Sequence, residues 1–325
     1  MSLVIIEKKD FLKGAFNNLE LINNSLVLKK GNLSGSYESE EIKINEFKKI
    51  VASWNTITEK DTSIELMVSF CKNEKWSMWF SYGKWSNNGL NEGSIFNQQD
   101  ELGKINIDTI NVKNGFSKVL KVKVLFKRKN NKLESPLLRR IILSSFNEYK
   151  NKDFKLIDID IDVPMISQMN VPKIGKSICS PTSLTMLINN YDYLKNVYDV
   201  SQKCFDNGAG VYGNWSYNMA YASEIGFKSF IRFCENVDIL IKYVSSGIPV
   251  AASIKTTNED DLKGAPQIYP LGHLLVIRGF STNGNLKIVV NDPASKDVKN
   301  VKKYYDFSEF LKVWNKIIYV LELEK

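Results

Sequence analysis

The spacing of apolar residues changes partway along the chain. Up to about residue 150 the period is two: Ile64, Leu66, Val68 and Phe70 alternate with Glu65, Met67, Ser69 and Cys71, and Leu120, Val122, Val124 and Phe126 enclose the outward Lys121 and Lys123. Such alternation marks strands with one face in a core and the other in water. Turn formers break it at Asn23-Asn24, Gly31-Asn32, Asn87-Asn88-Gly89, Lys113-Asn114-Gly115 and Asn130-Asn131, intervals that suit a β-sandwich. The expectation for residues 1–150 is an all-β, jelly-roll-like sandwich domain.

From residue 155 to 325 the pattern is mixed. Leu184, Leu187, Ile188 and Tyr191 recur at helical spacing after Cys179-Ser180-Pro181, where Ser180 can cap and Pro181 suits a first helical position. Further helices are expected over Asp238 to Ser246 and around Phe307, Phe310, Leu311 and Trp314, with strands at Pro249 to Ile254, Leu274 to Phe280, Leu286 to Val290 and Ile317 to Leu323. This is α+β order. A chain of 325 residues with 43% apolar content can build a core in each of two domains.

Histidine occurs once, at His273. If a thiol is to be activated by imidazole, His273 is therefore the base, and Cys179 is the thiol placed at a helix N-terminus, where unpaired N–H groups and the helix dipole favour thiolate. Asn283-Gly284 between two strands reads as a two-residue hairpin loop. That register puts Asp292 opposite Leu275, on the face of His273 and about 7–8 Å from it by backbone geometry, with Asn291 turned to the other face. Asp292 is thus the candidate orienter, a choice that a bulge or a slip of one residue would reverse.

Cys71, Cys179, Cys204 and Cys234 show no Cys-x-x-Cys spacing, so no metal site and no cofactor is expected. Trp54, Trp76, Trp79 and Trp85 fall in the sandwich with Phe80 and Tyr82; they are expected mainly as core, while an exposed aromatic could stack on a glycan or an extended peptide. The net charge of +8 is scattered, with Lys127-Arg128-Lys129 and Lys302-Lys303 among its longest clusters, and no nucleic-acid motif accompanies it. Leu3 to Ile6 is too short for a secretory h-region or a membrane span, so no membrane insertion is expected and the chain reads as soluble, a removed leader leaving secretion open.

Six segments in order, Val163-Pro164-Met165-Ile166-Ser167-Gln168, Cys179-Ser180-Pro181-Thr182-Ser183, Val211-Tyr212-Gly213-Asn214-Trp215, Gly247-Ile248-Pro249-Val250, the His273 strand and Val290-Asn291-Asp292-Pro293, make the C-terminal half resemble the C39-like group of papain-like cysteine peptidases. These are relatives of the proteases that clip double-glycine leaders from bacteriocins. The resemblance implies a papain-like α+β fold, a Cys179-His273-Asp292 triad, and Gln168, eleven residues before Cys179, as a donor to the oxyanion. It also implies that Tyr212, Asn214 and Trp215 line or brace the cleft. The family pattern has glycine after the cysteine where this chain has Ser180. The expected function is hydrolysis of peptide or amide bonds, cell-wall peptides included. Two alternatives are a silent binding module, with Ser180 blocking the cleft and the sandwich holding glycan or peptide, and a thiol acyltransferase.

Overall fold

The computed structural model of the protein describes residues 2–87 and 92–324. Asn88 and Gly89 of one expected turn lie outside them. The chain forms two compact units, Met1–Asn147 with Phe205–Ile231 and Glu324–Lys325, and Glu148–Cys204 with Arg232–Leu323.

The first unit is built on two antiparallel sheets. One runs Gly103–Asn106, Thr109–Val112, Lys49–Ile57, Leu137–Phe146, Ser25–Leu28, Leu19–Ile22, with Leu3–Ile6 against Leu137–Phe146. The other runs Phe80–Trp85, Thr62–Lys72, Ser117–Arg128, Ser34–Glu38, Ala15–Asn17, with Ile42–Phe47 and Lys75–Trp76 on its flanks. The alternation read from sequence appears as register: Val122 pairs with Val68 and Val124 with Leu66, and all eight apolar residues of the two patterns are at most 1% exposed. Trp54 meets Tyr82 edge-on across the sheets, and Tyr82 donates to the Ile50 carbonyl, which makes the pair a sandwich. Trp54 and Trp85 fill its core. Trp76 and Trp79 do not; Lys121 lies over the first ring at 5.0 Å and Lys123 over the second at 4.6 Å.

Residues 205–231 complete this unit. Helix Trp215–Glu224 packs on strand Lys49–Ile57, Ser216 donating to the Ala52 carbonyl and Thr56 N–H to the Ser223 hydroxyl. Asn214 caps the helix by accepting from the Tyr217 N–H, and its amide donates to Asp206 at 2.7 Å. Asp206 also takes the N–H groups of Ser94, Gly208 and Ala209.

The second unit carries helices on an antiparallel sheet whose neighbours run Trp314–Leu323, Val250–Ile254, His273–Ser281, Lys287–Asn291, Lys302–Asp306, with Ile159–Asp160 against His273–Ser281. Helix Cys179–Asn189 lies on strand His273–Ser281, and residues Ser180 to Ile188 are buried all round. Two expectations need correction, and one strand was not expected. The helix starts at Cys179 with Ile178 as N-cap and no side-chain cap, so Ser180 is not the cap and Pro181 sits third, still within the turn whose N–H groups lack helical partners. The last helix ends at Val313, and Trp314 opens the closing strand. Strand Lys302–Asp306 was hidden by its lysines.

The hairpin also differs from its prediction, in two ways that cancel. Ser281 pairs with Lys287, so the connection is five residues, 282–286, and not two. A bulge between Ile277 and Gly279 then shifts the register back, and Val276 pairs with Asn291 as the shorter loop required. Strand Ile159–Asp160 crosses at the bulge, where a Cβ on Gly279 would stand 1.9 Å from the Ile159 carbonyl oxygen. Arg278 is buried there between Asp160, at 2.7 Å, and Asn291. Among the described residues no helix is long and apolar enough to cross a membrane.

Candidate active site

Cys179, His273, Asp292 and Gln168 all belong to the second unit. Cys179 begins the central helix, and the Ser183 hydroxyl of that helix donates to the Leu274 carbonyl, fixing helix start against strand start. Its thiol is half-buried, faces His273, and takes N–H bonds from Leu274 and Ser180. His273 is 4% exposed, and its Nε2 lies 2.9 Å from Oδ1 of the fully buried Asp292. That leaves Nδ1 for the sulfur. Asn291 turns away, donating to the Val163 carbonyl, as the restored register demands.

The electrostatics follow from these contacts. Burial pushes the Cys179 thiol up, but the hydrogen bond and charge of His273, helped by the two N–H groups, outweigh it and leave the thiol below its ordinary value. Burial pulls the His273 imidazolium down, yet the charge and hydrogen bond of Asp292, then Cys179, raise it from 6.5 to about 10. Burial would raise Asp292, and the His273 charge, with the Ala294 N–H and the Tyr305 hydroxyl, keeps it below the usual carboxylate range. The arrangement favours an anionic sulfur beside a cationic ring, the state in which cysteine attacks a carbonyl carbon.

Two further side chains reach this cluster. Tyr269 and Tyr305 both donate to Oδ2 of Asp292, at 2.9 and 2.8 Å, and the Tyr269 ring lies flat against the imidazole. No local motif announces either tyrosine; only the fold of the loop before His273 and the strand after Asp292 unites them.

Gln168 is 2% exposed and held in the loop before the helix. Its N–H donates to the Pro293 carbonyl, next to Asp292, and its side-chain nitrogen donates to the Gly175 carbonyl at 2.7 Å, leaving one amide hydrogen uncommitted. The amide oxygen is buried with no partner among the described residues. Ser180 lies in ordinary helix, and its hydroxyl, in a residue 2% exposed, shares a 2.8 Å hydrogen bond with the Tyr319 hydroxyl. The hydroxyl thus points into packed interior, and no positive φ is asked of this residue.

Cys204 and Cys234 are buried thiols pushed up by desolvation, and all four cysteines are free. Among the described residues no group of three His, Cys, Asp or Glu side chains is arranged to hold a metal ion.

Known proteins resemble the chain in both regions. Residues 160–321 match the Peptidase_C39 like family, and residues 27–144 match the Peptidase C39 N-terminal domain. Among solved structures, a Bacillus anthracis protein assigned as a C39-like peptidase is 16% identical over 52% of this chain and 100% of its own, with TM-score 0.38. The peptidase domain of Streptococcus ComA, a bifunctional ABC transporter of a quorum-sensing pathway, is 17% identical over 47% and 97%, with TM-score 0.36. The C-terminal CBM6 of LamC from Zobellia galactanivorans is 11% identical over 44% and 99%, with TM-score 0.26. No curated protein matches. By its C-terminal region the chain belongs to the C39-like peptidase family, and the region before it is a C39 peptidase N-terminal domain.

Proposed function

We propose that the chain is a cysteine peptidase of papain-like design, a thiol hydrolase acting on peptide or amide bonds. The observation that carries this reading is the continuous series from the helix-start thiol of Cys179 through His273 to the buried Asp292. Cys179 Sγ attacks the carbonyl carbon, and the oxyanion is taken by the Cys179 N–H and the uncommitted amide hydrogen of Gln168. His273 gives its proton to the leaving amine as the C–N bond breaks, leaving a thioester. It then takes a proton from water, whose hydroxide displaces the sulfur and releases the acid. Asp292 remains ionised and holds the ring in orientation.

Peptides, cell-wall peptides included, are the proposed substrates. In the sandwich, Trp76 is 38% exposed and is the proposed contact for a glycan that tethers substrate, with Lys121 yielding the ring face. Loss of binding to cell-wall glycan fragments in Trp76→Ala tests this, and unchanged binding removes it.

The main test is mass-spectrometric detection of cleavage in a peptide library and in isolated cell-wall peptides, with the native protein and Cys179→Ala, with and without added amine. Cleavage confined to the native protein supports the reading. Cleavage that survives in the variant removes Cys179 as nucleophile, and amide products formed only with amine would make the protein an acyltransferase.

A further inference from the structure

Tyr269 stands four residues before His273 and comes back over it. The Gly272 N–H bonds to the Tyr269 carbonyl, and Gly272 holds φ +97, a conformation that side-chain-bearing residues rarely adopt. This turn lays the phenol ring on the imidazole with centroids 3.9 Å apart and planes 5° from parallel, closer than the usual 4.5–7 Å spacing of stacked rings. The loop end is pinned from the neighbouring strand's exit, because the Tyr269 N–H donates to the Thr256 hydroxyl at 2.7 Å. Tyr269 then contacts both members of the charge pair, its ring on His273 and its hydroxyl on Asp292.

The division of Asp292's bonds shows what this achieves. Oδ1 takes His273 Nε2 and the Ala294 N–H, while Oδ2 takes the hydroxyls of Tyr269 and Tyr305. A carboxylate with both oxygens so occupied has no free direction to swing, but it constrains the imidazole through a single nitrogen. Rotation of the ring about the line through that hydrogen bond is stopped by a flat surface, and Tyr269 supplies it. The electron-rich face of a tyrosine also favours the cationic form of a stacked ring.

We infer that Tyr269 is the positioning residue that keeps His273 turned toward Cys179, and this rests on the catalytic reading of Cys179, His273 and Asp292. Tyr269 touches no reacting atom of a substrate. Tyr305 shares the hydrogen bond to Oδ2 without the stack, so the two tyrosines separate ring from hydroxyl.

Because His273 is the only histidine, its imidazole signals in NMR are unambiguous. The experiment records those signals, and the pH profile of Cys179 alkylation by iodoacetamide resolved by mass spectrometry, in native protein, His273→Ala, Tyr269→Phe, Tyr269→Leu and Tyr305→Phe. The stack requires upfield-shifted imidazole ring protons in native protein and in Tyr269→Phe; ordinary shifts in the native protein overturn the proposal without any variant. Below the native thiol's pKa, Tyr269→Leu should slow alkylation by about tenfold, the equivalent of one unit on that pKa, with Tyr269→Phe restoring most of the rate. A folded Tyr269→Leu with a native profile, or a Tyr269→Phe as slow as Tyr269→Leu, overturns it. If His273→Ala alkylates like native protein, the catalytic reading itself fails; if His273→Ala is slow and Tyr269→Leu is not, the role of Tyr269 alone fails.

Discussion

Asp292 in the second unit and Glu224 in the first are both carboxylates withdrawn from water behind several donors, yet they end on opposite sides of their ordinary range. Glu224 accepts from the Thr58 N–H, the Thr58 hydroxyl and the Trp85 indole, and burial still wins, raising it from 4.5 to about 7. Asp108, accepting from the Trp215 N–H at 2.6 Å and from Thr109, is likewise raised by burial from 3.8 to about 7. Asp292 feels the same desolvation, but the His273 charge reverses the outcome. Neutral donors make a buried carboxylate a strut; a facing cation makes it part of a charged pair. A perturbed pKa by itself therefore does not mark a reactive site, and in the first unit it marks the fastening of helix Trp215–Glu224 to the sandwich.

The largest effect that tests this contrast belongs to the nucleophile. Cys179→Ala should reduce peptide hydrolysis by a factor on the order of 10⁴–10⁶ and leave the fold intact, which circular dichroism alongside the assay checks. Asp292→Asn comes next, with a rate loss on the order of 10²–10⁴-fold. In native protein the folded value of His273 exceeds its unfolded 6.5, so its contribution to stability is full below 6.5 and is lost as pH rises to about 10. Without the Asp292 anion that loss should move to lower pH, visible in the imidazole NMR titration. An unmoved titration would show that Asp292 does not hold the charge on His273.

The strut should behave in the opposite sense to Asp292, whose lowered value makes its own contribution one that is lost as pH falls. Glu224 has its folded value raised from 4.5 to about 7, so its stabilising contribution is complete below 4.5 and disappears as pH rises through 7. Glu224→Gln keeps an oxygen to accept from Thr58 and Trp85, and never ionises. It should therefore flatten the fall in stability between pH 4.5 and 7, a difference of about 1–3 kcal/mol, and leave Cys179 alkylation unchanged. Denaturant unfolding followed across that range reads the first outcome and mass spectrometry the second. A slope equal to the native one would mean that Glu224 is already ionised in the folded protein.

How much of this could be read from the residues differs between the units for a physical reason. In the sandwich each strand has a wet face and a dry face, so Ile64 to Phe70 and Leu120 to Phe126 carry the answer in their alternation. In the second unit the helix from Cys179 is buried on all sides; Ser180-Pro181 marks its start to within two residues, but its cap, Ile178 with no side-chain bond, does not show. The excursion 205–231 was not legible either: helix Trp215–Glu224 buries Ser216, Asn218 and Ser223 along with its apolar residues, and its place in the first unit depends on bonds to Ala52, Thr56 and Thr58, more than 150 positions upstream. Asp292 was legible on its correct face through an error of loop length offset by a bulge, and Tyr269 and Tyr305 were not, because a stack and a shared acceptor are facts of tertiary placement.

Ser180→Gly is the smallest expected effect and separates the two units' logic from family pattern. If the glycine found elsewhere at this position were needed for substrate approach, the change would raise activity. Here Ser180 occupies ordinary helix and ties its hydroxyl to Tyr319 inside the second unit, so removing the side chain takes a hydrogen bond from a buried phenol and places glycine within a helix. Each of these costs about 1 kcal/mol. The expected result is a protein less stable by about 1–2 kcal/mol in denaturant unfolding, with the Cys179 alkylation rate and peptide hydrolysis no higher than native. Activity that rises instead would show that Ser180 limits the site after all, and would turn the hydroxyl's bond to Tyr319 from a packing feature into a restraint on catalysis.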